Sequence, residues 1–168
     1  MFNIGDLIIY SEQGICHIDE ICEKTFMGVT RKYYVLHPID NCRLEISIPV
    51  DSDKVMMLEL IQREEAEEII ESFKLPGLDW IEINTFRMQT YSGIVKQGDR
   101  KEISKIANTL MVKKHQCEAL GKKFYEQDNR LLISIQNILF AELAMALNTT
   151  SEEINERITA FIAEKERN

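Results

Sequence analysis

The chain changes its periodicity once, near residue 60, and that change limits its fold more than any other feature. Before it, short runs rich in β-formers are separated by brief polar breaks. After it, apolar residues recur at helical spacing to the end. Residues 6–10, 15–25, 31–37 and 44–49 read as strands, and Val55-Met56-Met57-Leu58 as a short fifth. The first two read as a hairpin, because apolar runs flank the polar, Gly-containing break Ser11-Glu12-Gln13-Gly14. Gly28 and Asp40-Asn41 mark later connections. Evenly spaced short strands predict a small antiparallel β-barrel or a strongly bent sheet. About fifty residues make only a marginal core, so the strands are expected to lean on the helices or on a partner.

In the second half, Glu64 to Phe73 reads as an acidic helix with Ala66, Ile69, Ile70 and Phe73 on its apolar side, ended by Leu75-Pro76-Gly77. A helix from Asp79 is expected to set Trp80, Ile83, Arg87, Tyr91 and Ile94 on one face and to stop at Gly98. Asp99 with Glu102 reads as a capping box. The helix it opens carries Ile103, Ile106 and Leu110 and closes at Lys113-Lys114, where cations suit the helix dipole. Gly121-Lys122-Lys123 reads as a turn. Gln127 to Leu147 then reads as the long core helix, with Leu131, Ile135, Ile138, Leu139 and Met145 inward. Thr150 and Glu153 cap a last helix whose stripe is Ile154, Ile158, Phe161 and Ile162. The predicted class is α+β in two modules: a β-barrel over residues 1–58 and a compact all-α domain over residues 59–168.

The 168-residue chain carries a net charge of −8, which by itself argues against a nucleic-acid partner. Its distribution argues differently. Residues 1–74 hold 7 basic and 15 acidic groups, whereas residues 87–130 hold 10 basic and 5 acidic. A local basic patch is enough to release counterions from a few phosphates, although it also suits a plain solvated helix surface.

Cys16, Cys22, Cys42 and Cys117 form no C-x-x-C pair, and His17, His37 and His115 complete no metal-ligand spacing. No metal or cofactor is expected. Cys16 and Cys22 are an even number apart and are expected to share a strand face as free thiols. No run of about 18 apolar residues and no secretory signal pattern is read, so a cytoplasmic protein without a membrane partner is expected. No nucleophile elbow, phosphate loop or H-E-x-x-H occurs. The carboxylates Glu64, Glu65, Glu67 and Glu68 read as a solvated helix face, so neither catalysis nor a small-molecule substrate is expected. Lys24, Arg31, Lys32 and Tyr33 bracket the turn at Gly28. They read either as gatekeepers against edge pairing or as the rim of a docking edge.

The opening F-x-x-G-D-x-x-x-Y-x-x-x-G, from Phe2 to Gly14, resembles that of the CarD/CdnL family of bacterial transcription regulators. The transcription-repair coupling factor shares that opening. Further matches are Gly28, Tyr33-Tyr34-Val35-Leu36, Ile48-Pro49, Leu75-Pro76 with Asp79-Trp80, Gly98-Asp99, and the run from Ile138 to Ala144. The resemblance implies a Tudor-like barrel that docks on the RNA polymerase β subunit and a helical domain that touches promoter DNA beside the melted bubble. It implies docking through Lys24, Phe26, Arg31, Lys32, Tyr33, Ser47 and Pro49. Lys24 and Ser47 stand where the family often has arginines, and serine removes a fork-like cation.

For DNA, the resemblance points to Trp80, Asn84, Arg87, Lys113, Lys114, Lys122, Asn129 and Arg130, with Lys123 beside them. The family's minor-groove tryptophan falls at Asn84, and Trp80 lies one turn earlier. Only the second of a basic pair is kept, as Arg87 after Phe86. Tyr125 replaces the serine that starts the long helix. The resemblance therefore implies weak, sequence-independent DNA binding, while a lone tryptophan on a helix is also a core residue by its apolar area.

Overall fold

Strand periodicity and helical periodicity resolve into two units, Met1–Leu60 and Ile61–Asn168, each with its own core. The computed structural model describes residues 1–10, 13–54 and 56–168. Ser11 and Glu12 of the first expected turn, and Val55 of the expected fifth strand, lie outside the described residues.

The first unit is a five-stranded antiparallel sheet: β1 (Leu7–Tyr10), β2 (Gly14–Phe26), β3 (Val29–Pro38), β4 (Ile46–Pro49) and β5 (Met57–Glu59), in the order β4-β3-β2-β1-β5. β2 and β3 turn through Met27 and Gly28, both left-handed at φ 50° and 79°, as a two-residue hairpin connection requires. β1 covers β2 only from Gly14 to His17, and β4 covers β3 only from Tyr33 to Leu36. The end of the β2–β3 hairpin therefore runs on as a two-stranded ribbon.

One face of the sheet buries Ile8, Cys16, Ile18, Tyr34, Leu36 and Ile48. Among the described residues this unit contributes no α-helix to that face. The sheet does not close by hydrogen bonding: β4 and β5 are its two edges, and no ladder joins them among the described residues. With four and three residues, these strands are short for a closing ladder.

A β-bulge sits between Ile18 and Glu20, and it leaves Asp19 without a residue directly opposite it on β3. It reverses which side chains of β2 face the core. Cys16 pairs with Pro38 on the core face, while Cys22 pairs with Tyr33 on the opposite face. The two cysteines do not share a face, contrary to the even spacing, because the extra residue breaks the period of two.

The second unit comprises α1 (Arg63–Ser72), α2 (Asn84–Gln97), α3 (Arg100–Ala119), α4 (Glu126–Ile135), a π-helical turn (Gln136–Phe140), α5 (Ala141–Leu147) and α6 (Ser151–Arg167). The α3 helix is central and packs against α1, α2, α4 and α6. Phe73, Tyr91, Ile106, Leu110, Leu132, Phe140, Leu143 and Ile158 are among the buried side chains of this core. Asp99 caps α3, accepting from the backbone N–H of Lys101 and Glu102, and Thr150 caps α6 through the N–H of Glu153. Gly98 ends α2 in the left-handed region at φ 76°.

Three helix expectations are corrected. The helix expected from Asp79 begins only at Asn84, after an extended Ile83. The third runs past Lys113-Lys114 to Ala119. In the long helix, Met145 is 40% exposed, Leu131 and Ile138 are only half-buried, and Leu132, Phe140, Leu143 and Leu147 are buried instead. The π turn adds one residue, which rotates the helix beyond it by about 100°. By length and composition Glu126–Leu147 could cross a membrane, but its apolar face packs against α1, α3 and α6.

Candidate functional site

On the sheet unit, strand alternation sorts the candidate residues. Lys24 pairs with Arg31, Cys22 with Tyr33, Phe26 with Val29, Tyr33 with Pro49 and Val35 with Ser47. Lys24, Phe26, Arg31, Tyr33, Ser47 and Pro49 thus share the face opposite the core. Lys32 pairs with Glu23 and lies on the other face, so it is separated from the set it was grouped with. Lys24 Nζ donates to Ser47 Oγ at 2.7 Å and stands 3.6 Å from Glu45. Phe26 meets Tyr33 edge-on at 5.7 Å. The ribbon tip exposes Phe26, Met27 and Val29, and Met27 is fully exposed. A cation, two aromatic rings and an apolar tip on one ribbon can bind a protein surface.

On the helical unit, the segment between α1 and α2 carries Trp80. Side chains beneath it take up its backbone carbonyls. Asn108 Nδ2 donates to Leu75 O (2.8 Å), Thr109 Oγ1 to Leu78 O (2.7 Å), Tyr91 Oη to Asp79 O (2.9 Å) and Arg87 Nη1 to Ile81 O (2.6 Å). Lys165 Nζ adds bonds to Phe73 O and Leu75 O, and burial pulls its pKa down. At Gly77 a Cβ would meet the Lys105 carbonyl at 2.6 Å, so the close approach needs glycine. The loop is therefore fixed from below. Trp80 sits half-buried on it, with the Arg87 guanidinium 4.0 Å and Lys113 Nζ 4.8 Å from its ring.

Arg87 is not a surface cation. It is 1% exposed, and it donates through Nε and Nη2 to the two oxygens of Asp128 at 2.9 and 2.6 Å and through Nη2 to Asn84 Oδ1 at 2.8 Å. The expectation that it faces DNA is corrected: a guanidinium buried in this way needs its charge and donors satisfied inside. Trp80 is likewise not on the helix of Arg87 but on the loop before it, so the one-turn displacement along a shared helix does not describe it.

The remaining candidates divide. Asn84 and Lys113 adjoin Trp80 and Arg87, and Lys114 donates to Asn129 Oδ1 at 3.2 Å beside Asp128. Lys122 and Lys123 are exposed beyond α3, and Arg130 is exposed in an ion pair with Glu126. The sequence did not point to Asp128 or Tyr125 as partners of Arg87, although the Tyr125 ring lies 5.6 Å from the guanidinium. An acidic residue on the inward side of α4, in phase with Leu132 and Ile135, was the available signal.

Elsewhere in the unit, Glu142 is buried. It accepts from the Ile61 N–H at 3.0 Å and from Arg100 at 2.7 and 3.2 Å. Its pKa is pushed up, because burial outweighs the Arg100 charge. In the sheet unit, burial with help from Asp40 pushes the Cys16 thiol up to about 11. That sulfur is a thiol at neutral pH and a poor nucleophile. His17, Asp19 and His37, which complete no sequence spacing, come together on the sheet. Their Nδ1 atoms lie 2.9 Å (His17) and 2.6 Å (His37) from separate oxygens of Asp19.

Residues 2–62 match the family model of the CarD-like/TRCF RID domain. The N-terminal unit is thus similar to the CarD-like/TRCF RID domain. CarD/TRCF RID domains bind RNA polymerase, and the projecting ribbon lies within the matched residues. The match covers about a third of the chain and reaches only the first two residues of the helical unit. No curated protein matches the chain.

Proposed function

We propose that this protein is a CarD-like transcription regulator that works by binding rather than catalysis, in the cytoplasm beside the nucleoid. The RID unit docks on the RNA polymerase β subunit through the ribbon face of Lys24, Phe26, Arg31, Tyr33, Ser47 and Pro49. The observation that carries this reading is the match of residues 2–62 to a polymerase-binding domain. The cluster of Ile8, Cys16, Ile18, Tyr34, Leu36 and Ile48 on one face of the sheet supports the Tudor-like, barrel-like curvature expected of such a module.

The helical unit contacts promoter DNA at the upstream edge of the bubble, without reading bases. Trp80, held half-exposed by a loop fixed from below, supports a wedge role at a base step. Lys113, Lys114, Lys122 and Lys123 supply phosphate contacts. Such weak contacts act once docking has made them intramolecular. The protein shifts the closed-to-open equilibrium only by binding the open form better, and a differential of about 1.4 kcal/mol changes the ratio tenfold.

The test is open-complex lifetime on a ribosomal-type promoter with the organism's own polymerase, with and without the protein, at two salt concentrations. The expected result is a lengthened lifetime whose excess shrinks with salt. An unchanged lifetime despite polymerase binding would refute the DNA contact. It would leave the second reading, an adaptor whose helical unit serves another protein. The burial of Arg87 against Asp128 favours that reading, since it withdraws one expected DNA cation.

A further inference from the structure

We infer that His17, Asp19 and His37 form a surface site for one divalent transition-metal ion, with Zn²⁺ the best match to its donors. The inference rests on the RID sheet alone and not on the polymerase reading. Around the turn at Met27 and Gly28, the ribbon pairs Lys24 with Arg31, Cys22 with Tyr33 and Glu20 with Val35. Continued without interruption, that register would set His17 against Pro38 and turn the two histidines to opposite faces. The bulge at Asp19 shifts it by one residue. His17 now stands directly across from His37, and both lie on the face away from the core.

The same irregularity supplies the third donor. Asp19 Oδ1 lies 2.9 Å from His17 Nδ1, and Asp19 Oδ2 lies 2.6 Å from His37 Nδ1. The imidazole centroids are 5.5 Å apart with the rings tilted by 39°, and one ligand atom from each of the three residues lies within 4.8 Å of the other two. Tetrahedral zinc with bonds of about 2.0–2.2 Å sets its donors a little over 3 Å apart. A slight opening of three side chains is enough to admit it. The side chains are 38%, 40% and 27% exposed, so an ion can enter and water can complete its shell.

The chemistry fits the donors. Two imidazoles and a carboxylate are borderline ligands that suit zinc and its first-row neighbours better than magnesium or calcium. Without metal, an ionised carboxylate only accepts, so each Nδ1 donates its proton to Asp19. On binding, each neutral ring carries its proton on Nε2 and turns the Nδ1 lone pair to the ion.

The experiment is titration of the full chain with Co²⁺ and then Zn²⁺ near neutral pH, followed by visible absorption and calorimetry. The expected result is one ion per chain, cobalt bands without a thiolate charge-transfer band, and displacement of cobalt by zinc. His17→Ala, His37→Ala and Asp19→Asn should each weaken binding by about tenfold or more. Cys42→Ser and His115→Ala should leave it unchanged. Far-UV circular dichroism confirms that each variant is folded, and His37→Asn replaces any alanine variant that is not. The inference is overturned by absence of saturable one-to-one binding, by a thiolate-type cobalt spectrum, or by binding that survives loss of both histidines. A cluster that takes up protons but no metal also overturns it.

Discussion

Arg87 and Asp128, 41 residues apart in the chain, meet as a two-bonded ion pair inside the helical unit, each side chain 1% exposed. This contact joins α2 to α4. Because Arg87 also holds Ile81 O, Asn84 and the Trp80 ring, it fixes the loop that presents Trp80.

Removing one partner leaves the other charge buried and unpaired. Asp128→Ala should therefore destabilise the protein by about 3–5 kcal/mol, whereas the double change Arg87→Met, Asp128→Leu should cost much less. Equilibrium urea unfolding of both variants measures the difference. Equal losses would mean that the pair carries no buried charge penalty.

Trp80 packs against the core only in part. Trp80→Ala should cost about 2 kcal/mol, less than the roughly 3–5 kcal/mol of a fully buried aromatic. It should also shorten the open-complex lifetime while polymerase binding persists. A variant that melts earlier but preserves the lifetime makes Trp80 a packing residue alone.

Lys24 lies on the ribbon face, held by Ser47 Oγ and away from the Ile8–Leu36 cluster. Lys24→Glu should weaken polymerase binding about tenfold, near 1.4 kcal/mol, with little change in melting temperature. Pull-down or interferometry with the purified β subunit reads the first, and a thermal melt the second. Undiminished binding would place the contact elsewhere.

Burial raises the pKa of Glu142 above its ordinary value. The folded state then holds a proton that the unfolded state has released, so this group's contribution to stability is full below the ordinary glutamate pKa. It is lost as pH rises through the raised one. Glu142→Gln removes that titration. Relative to wild type, the variant should gain stability as pH rises across this window, as urea unfolding at several pH values would show. A constant difference would mean that Arg100 fully offsets the burial.

The residues that could be read in advance are those whose neighbours along the chain explain them. Ala66, Ile69, Ile70 and Phe73 are buried as their spacing implies, and Asp99 and Thr150 cap the helices they precede. The hairpin at Gly28 turns where its left-handed angle was needed. The site residues were less legible. Arg87 looked like a surface cation because its partner is on another helix. Lys32 looked like a companion of Lys24 until pairing with Glu23 set it on the other face.

By itself, then, the sequence determined the division near residue 60, the strand and helix classes, most caps, and the resemblance of the opening segment to a polymerase-binding module. Period, turn chemistry and capping act over a few residues, and a linear reading captures them. Only the tertiary structure decided three matters: the faces that the Asp19 bulge assigns to His17, His37 and Cys22, the phase shift at Gln136–Phe140, and the burial of Arg87 against Asp128. Each turns on one irregular residue or one distant partner. A single residue of slip reverses a strand face, and a buried charge is stable only beside the partner that folding brings to it.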